Sequence, residues 1–262
     1  MKIIVCIKQV PDTTEVKLDP VTGTLIRDGI PSIINPDDKA GIEAALTLRE
    51  AVGGSVTVLS MGPPQAEKAL REALALGVDR AILLTDRAFG GADTWATSST
   101  LAAALKKLDF DLVITGRQAI DGDTAQVGPQ IAEHLGIPQV SYVAGIEVEN
   151  DHLLVKRNFE DRYHLIEVKT PCLITTLSEL NQPRYMTIGG IFDAYREKEV
   201  LIWTLKDIQD VVNPADIGLS GSPTRVKKSF TKTAKGQGRI FEGEADEAVE
   251  NIISLLAAKF II

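Results

Sequence analysis

The sequence predicts an α/β fold with a mainly parallel sheet, an antiparallel extension and a C-terminal arm. Three observations lead there. Up to about residue 136, short β-branched runs alternate with longer amphipathic stretches, the pattern of repeated β-α units. After Pro138 short strands follow one another without helices between them, which predicts antiparallel pairing. From about Trp203 the chain carries too little contiguous apolar sequence to form a core of its own. The expected division is therefore an α/β domain over residues 1–202 and an arm over 203–262. With 262 residues, 44% of them hydrophobic, there is ample material for a buried core.

The first strand is predicted over Ile3–Lys8, and others over Ser55–Ser60, Ala81–Thr85 and Leu112–Thr115. Asn35-Pro36-Asp37-Asp38 reads as a helix start, with Asn35 as cap, proline at the first helical position and acids in the first turn; this helix ends before Gly53-Gly54. A second helix begins at Pro63-Pro64 and stops at Gly77. The third begins near Asp93-Thr94 and buries Leu101, Ala104, Leu105 and Leu108. Strands are then predicted over Gln139–Val148, Leu153–Glu160, Tyr163–Lys169 and Cys172–Leu177, with turns at Asn150-Asp151 and Glu160-Asp161. In the arm, residues 221–240 hold six basic and no acidic side chains, residues 241–250 hold five acids and no bases, and an amphipathic helix follows. Such a segment is expected to be disordered or to lie on another protein.

Composition narrows the classes of function. A net charge of −8 argues against non-specific nucleic-acid binding. No run is long and apolar enough to cross a bilayer, and the stretch Ile3–Ile7 is too short for a secretory signal, so no membrane insertion and a cytoplasmic location are expected. Cys6 and Cys172 lie within apolar runs and read as buried thiols rather than a disulfide. There is no G-x-G-x-x-G after the first strand, no P-loop and no G-x-S-x-G elbow, and the three histidines lack metal-ligand spacing. No metal site and no catalytic acid, base or nucleophile are expected.

The remaining candidate is the segment Gly116-Arg117-Gln118-Ala119-Ile120-Asp121-Gly122-Asp123-Thr124-Ala125-Gln126-Val127, between the strand at Leu112–Thr115 and a helix running to about Leu135. Its amides and the helix N-terminus would face the side of the sheet where α/β folds bind ligands, and suit a phosphate or pyrophosphate. Gly122 would let the backbone approach a ligand, and Thr124 and Gln126 offer neutral hydrogen-bonding groups. Asp121 and Asp123 would repel a phosphate and fit better as a helix cap or as acceptors for ribose hydroxyls and amides. The alternative is a capped loop with no ligand. Two further loops leave the same ends of the sheet, at Met61-Gly62-Pro63 and at Gly90 to Thr97, where Thr94 and Thr97 would share one face of the first helical turn beside Asp93.

Taken together, these segments resemble the electron-transfer flavoprotein β subunit family. The similarity rests on Gly116 to Asp123 with Gln126, on Leu180-Asn181-Gln182-Pro183-Arg184-Tyr185, and on Val5-Cys6-Ile7-Lys8 and Asn35-Pro36, all in family order. It implies a Rossmann-like sheet of the adenine nucleotide alpha hydrolase type, a heterodimer with an α subunit embraced by the arm, and an adenine-nucleotide site lined by Cys6, Asn35, Asp37, Asp38, Met61 and residues 116–127. Single-flavin members hold AMP there and electron-bifurcating members a second FAD. The Asp121-Gly122-Asp123-Thr124-Ala125-Gln126-Val127-Gly128 run, the Gly91-Ala92-Asp93-Thr94 stretch and Gly218 to Thr224 resemble bifurcating members. That resemblance implies binding of FAD and of NADH as electron donor, with electrons divided between the α-subunit FAD, leading to an acyl-CoA dehydrogenase, and ferredoxin or flavodoxin. Gly189-Gly190 replaces a P-N pair in the loop that docks acyl-CoA dehydrogenases, implying a different docking partner. Two alternatives stay open: a single-flavin carrier with structural AMP, and a stand-alone ATP-binding α/β protein.

Overall fold

The computed structural model describes residues 1–12, 31–149, 152–227, 238 and 240–262. They form two units, Met1–Lys227 and Lys228–Ile262. The first runs β1 (Lys2–Cys6), β2 (Gln9–Pro11), β3 (Ser32–Ile34), α1 (Pro36–Val52), β4 (Ser55–Met61), α2 (Glu67–Leu76), β5 (Arg80–Leu84), α3 (Thr94–Leu105) and β6 (Leu112–Gly116). It continues through α4 (Val127–Leu135), β7 (Gln139–Glu149), β8 (His152–Asn158), β9 (Tyr163–Lys169), β10 (Cys172–Thr176), α5 (Ile188–Arg196), β11 (Val200–Trp203) and α6 (Leu205–Ile208). The predicted turn at Asn150-Asp151 lies outside the described residues.

The main sheet has the order β11-β5-β4-β1-β6-β10-β7-β8-β9. Pairing is parallel from β11 to β7 and antiparallel across β7, β8 and β9. The predicted mainly parallel sheet with an antiparallel extension is thus observed, with one rearrangement. Residues Cys172–Thr176 do not join the extension; the strand slots between β6 and β7, parallel to both, and is buried at every position. The apolar run Cys172-Leu173-Ile174 and two buried threonines suit a strand covered on both faces.

Strand periodicity divides the core in two. Ile3 and Val5 pack with α1 and α2 on one face, while Ile4 and Cys6 pack with α3 and α4 on the other. From β1 the chain winds outward through β4 and β5, then crosses the sheet to place β6 on the other side of β1. The reversal opens a crevice between the C-terminal ends of β1 and β6, where ligands bind in open α/β sheets.

The first unit continues past residue 203. Trp203 ends the edge strand β11, in register with Leu84 of β5, and Ile208, Val212 and Ile217 are buried in the core beside α3. Isolated apolar residues, spaced too widely to read as a core segment, fill gaps at the sheet edge, so the first unit reaches Lys227. In the second unit α7 (Ala245–Ala257) exposes Val249, Ile252, Ile253 and Leu255.

Candidate functional site

At the crevice, the first turn of α1 lies against the ends of β1 and β6. Asn35 stands at the capping position, yet its side chain does not cap the helix, contrary to expectation. Its Nδ2 donates to the Gln118 carbonyl at 2.9 Å and to Asp38 Oδ1 at 3.1 Å, and its Oδ1 accepts from the Ile120 amide at 3.1 Å. Asp38 also accepts from the Lys8 amide at 2.7 Å and the Gly116 amide at 2.9 Å. Burial pushes the Asp38 carboxyl up to about 7, opposed by hydrogen bonds from Asn35, Lys8 and Gly116. Asp37 accepts from the Ser178 amide at 3.0 Å and lies 3.5 Å from Arg117 Nε; burial raises its carboxyl and Arg117 opposes the rise. Gly116 has no room for a Cβ, which would strike the Asp38 carboxylate. Cys6, beside Thr115 at the end of β1, is a free buried thiol pushed up to about 12 by burial and by Asp38, and is inert as a nucleophile. Cys172 is likewise free and buried. Met61 sits half-buried at the end of β4.

The loop from Gly116 to Gln126 leads into α4. Asp123 and Ala125 take left-handed backbone conformations, with φ of 50° and 52°, while Gly122 does not and has open space beside it. The two non-glycine residues carry strain of about 1 kcal/mol or more each. Neither aspartate caps α4: Asp121 pairs with Lys8 Nζ at 2.7 Å, and Asp123 accepts from Gln118 Nε2 at 2.6 Å. Their charges are thereby partly offset, which lowers the repulsion of a phosphate. No side chain caps the α4 N-terminus. Gly128 seats that terminus on the sheet, since a Cβ there would come 2.5 Å from Thr115 Oγ1 and 2.8 Å from Thr175 Cγ2.

The N-terminus of α3 lies alongside. Thr94 Oγ1 donates to Gln126 Oε1 at 3.0 Å, joining the starts of α3 and α4. Asp93 caps α3 by accepting from the Ala96 amide at 3.0 Å, and its other oxygen accepts from the Thr224 amide and hydroxyl at 2.9 and 2.7 Å. Burial would raise the Asp93 carboxyl, but these bonds hold it below its usual value. The Asp93 amide donates to Ser222 Oγ at 2.9 Å. Thr97 lies half-buried in the first turns of α3.

The structure therefore gathers Cys6, Asn35, Asp37, Asp38, Asp93, Thr94 and the 116–127 segment at one edge of the sheet, with Met61 ending the neighbouring strand. The predicted set omitted Lys8, whose position just past β1 was the available signal. It also omitted Tyr142, held in a left-handed conformation (φ 59°) with the Arg117 guanidinium 5.8 Å from its ring centre; nothing local in the sequence marks it. Ser222 and Thr224 were flagged only by resemblance.

An adenine nucleotide or flavin nucleotide fits the donor set. The uncapped helix N-terminus offers amides to a phosphate, Thr94 and Gln126 are neutral partners, and Lys8 and Arg117 balance Asp121 and Asp37 at the rim.

Residues 22–207 match the family model described as electron transfer flavoprotein domain. The chain belongs to the electron transfer flavoprotein family. Over 262 residues, covering both chains fully, it is 60% identical to the electron transfer flavoprotein subunit beta of Clostridium acetobutylicum. It is 56% identical to the caffeyl-CoA reductase-Etf complex subunit CarD of Acetobacterium woodii, and 50% identical to the acryloyl-CoA reductase electron transfer subunit gamma of Anaerotignum propionicum, with both chains again fully covered. It is thus a β-type chain of a family that transfers electrons. Among the described residues no helix is long and apolar enough to cross a membrane.

Proposed function

We propose that this chain binds FAD in the crevice between β1 and β6, takes electrons from NADH, and works as the β subunit of a bifurcating electron-transfer flavoprotein. The observation that carries the reading is the junction of α3 and α4. Two helix starts tied by Thr94 and Gln126, with the 222–224 segment held to Asp93, set further hydrogen-bonding groups beside the loop, which supports a dinucleotide over a mononucleotide. When bound, the flavin supplies the acceptance of a hydride and its release as single electrons. The chain's own residues bind and orient it: α4 amides toward the diphosphate, Thr94, Thr97 and Gln126 as hydrogen-bonding neighbours, and Asp121 and Asp123 as acceptors beside the ribose.

Partners follow from the same reading. An α subunit carries the second flavin, and ferredoxin or flavodoxin takes one electron of each pair. The other electron passes to an acyl-CoA dehydrogenase, in line with the names of the caffeyl-CoA and acryloyl-CoA relatives. Ile188, Phe192 and Tyr195, exposed on α5, are suited to docking it. Gly190 there has a packing reason, because a Cβ would strike the Ala75 carbonyl of α2; Gly189 has open space. The arm beyond Lys227 supplies the α-subunit contact, with the exposed face of α7 as its apolar part.

Co-expression with the α subunit, cofactor extraction and NADH titration test the proposal. Two FAD per heterodimer, reduced by NADH, are expected, and Gly122→Val should lose one of them. One FAD plus AMP would instead establish the single-flavin carrier; absence of flavin would refute both.

A further inference from the structure

Asparagine is among the best helix-capping residues, and Asn35 stands at the capping position of α1 without capping it. Its amide is wholly buried and turned the other way, into the 116–126 loop. The two ends of that amide are fixed by chemistry. The Gln118 carbonyl can only accept, so Nδ2 must face it, and the Ile120 amide can only donate, so Oδ1 must face it; Nδ2 then also reaches Asp38 Oδ1. Asp38 then binds the amides of Lys8 and Gly116, at the ends of β1 and β6. Both donor hydrogens of Asn35 are committed within the protein, its oxygen is engaged, and Asp38 is enclosed by three donors.

We infer that Asn35 and Asp38 are positioning residues: their side chains do not touch the nucleotide but fix the loop at Gln118–Ile120 against the strand ends, so that the loop meets its ligand preorganised. This rests on the proposed nucleotide site and departs from the expectation that both residues line it. Preorganisation of this kind raises affinity by lowering the ordering cost of binding. An unclamped loop should therefore release ligand faster and bind it about tenfold or more weakly, without loss of any direct contact.

The experiment uses the heterodimer and two probes, AMP and FAD. Asn35→Ala should weaken whichever probe the wild type binds by about tenfold and speed amide exchange at Ile120, with β1 and β4 exchange unchanged. Asn181→Ala is the control, since Asn181 Nδ2 holds the Ala40 carbonyl of the same helix away from the loop; its affinity should match the wild type. Asn35→Asp, which sets two carboxylates together, should bind most weakly, and adding Asp38→Asn should recover part of the loss by restoring a donor and acceptor pair. Equal effects of Asn35→Ala and Asn181→Ala, no recovery in the double variant, or a bound nucleotide within hydrogen-bond distance of either side chain would overturn the inference. Failure of the wild type to bind either probe would refute the nucleotide site, whereas unchanged exchange at Ile120 in Asn35→Ala would refute the clamp itself.

Discussion

Replacing Gly116 with alanine puts one methyl group where the first turn of α1 meets the end of β6. The added carbon would strike Asp38 Oδ1 and lie 2.8 Å from Asp37 Cβ and 2.9 Å from the Asp38 amide nitrogen. None of these is the end of a flexible side chain, and Asp38 is held by three donors, so helix and strand must move apart. Overpacking of this kind costs about 1–3 kcal/mol. Separation also weakens the Gly116 amide bond to the carboxylate, and hydrogen bonds to charged groups contribute about 1.5–3 kcal/mol. If that bond is lost outright the sum is about 2.5–6 kcal/mol, a large part of a total stability on the order of 5–15 kcal/mol. Urea unfolding followed by circular dichroism reads it directly. Gly122→Ala is the companion, six residues on in the same loop, with nothing within 4 Å of the new carbon and an ordinary backbone; it should stay within about 0.5 kcal/mol of wild type. If Gly116→Ala is equally mild, the close packing of α1 on β6 does not hold the crevice together.

Asp38 gives a pH signature. The folded side chain keeps its proton to about pH 7, whereas the unfolded one releases it near 3.8, so the folded state binds more protons in that window. Its contribution is complete below the unfolded value and is lost as pH rises through about 7; an Asp38→Asn variant should lack this fall when denaturation midpoints are compared across the range. Arg184→Ala should cost about 1–3 kcal/mol in urea unfolding, because the guanidinium binds Glu43 through two nitrogens at 2.9 and 3.0 Å; the outer Glu50 contact is half exposed and adds little. Equal stability would show that the 181–187 segment is anchored otherwise. Alanine at both Thr94 and Thr97 should weaken flavin binding about three- to tenfold per lost hydrogen bond, and unchanged affinity would leave Thr94 only its tie to Gln126.

Much of the fold was legible because it rests on local rules. Short β-branched runs gave eight strands to within a residue or two, though not the short β2, β3 and β11, and Pro36, Gly77 and Asp93 marked helix ends for the reasons expected of them. The place of the 116–126 loop was legible too, since a link from a strand to a helix has a fixed place in a parallel sheet. Where local rules and long-range contacts compete, sequence reading failed. Asn35 and Asp37 look like helix-start residues, but their side chains bond to residues 83 and 141 positions away. Asp121 and Asp123 look repulsive to phosphate until Lys8 and Gln118 are brought beside them. The insertion of β10 between β6 and β7, and the capture of Ile208, Val212 and Ile217 by the core, depend on which surfaces remain uncovered once the earlier units have folded. Sequence by itself determined most of the longer elements, the mainly parallel character of the sheet and the segment that faces the crevice, because each follows from the chemistry of neighbours along the chain. Only the tertiary structure decided which polar groups remain for a ligand, because that depends on donors and acceptors that meet only after the chain has closed on itself.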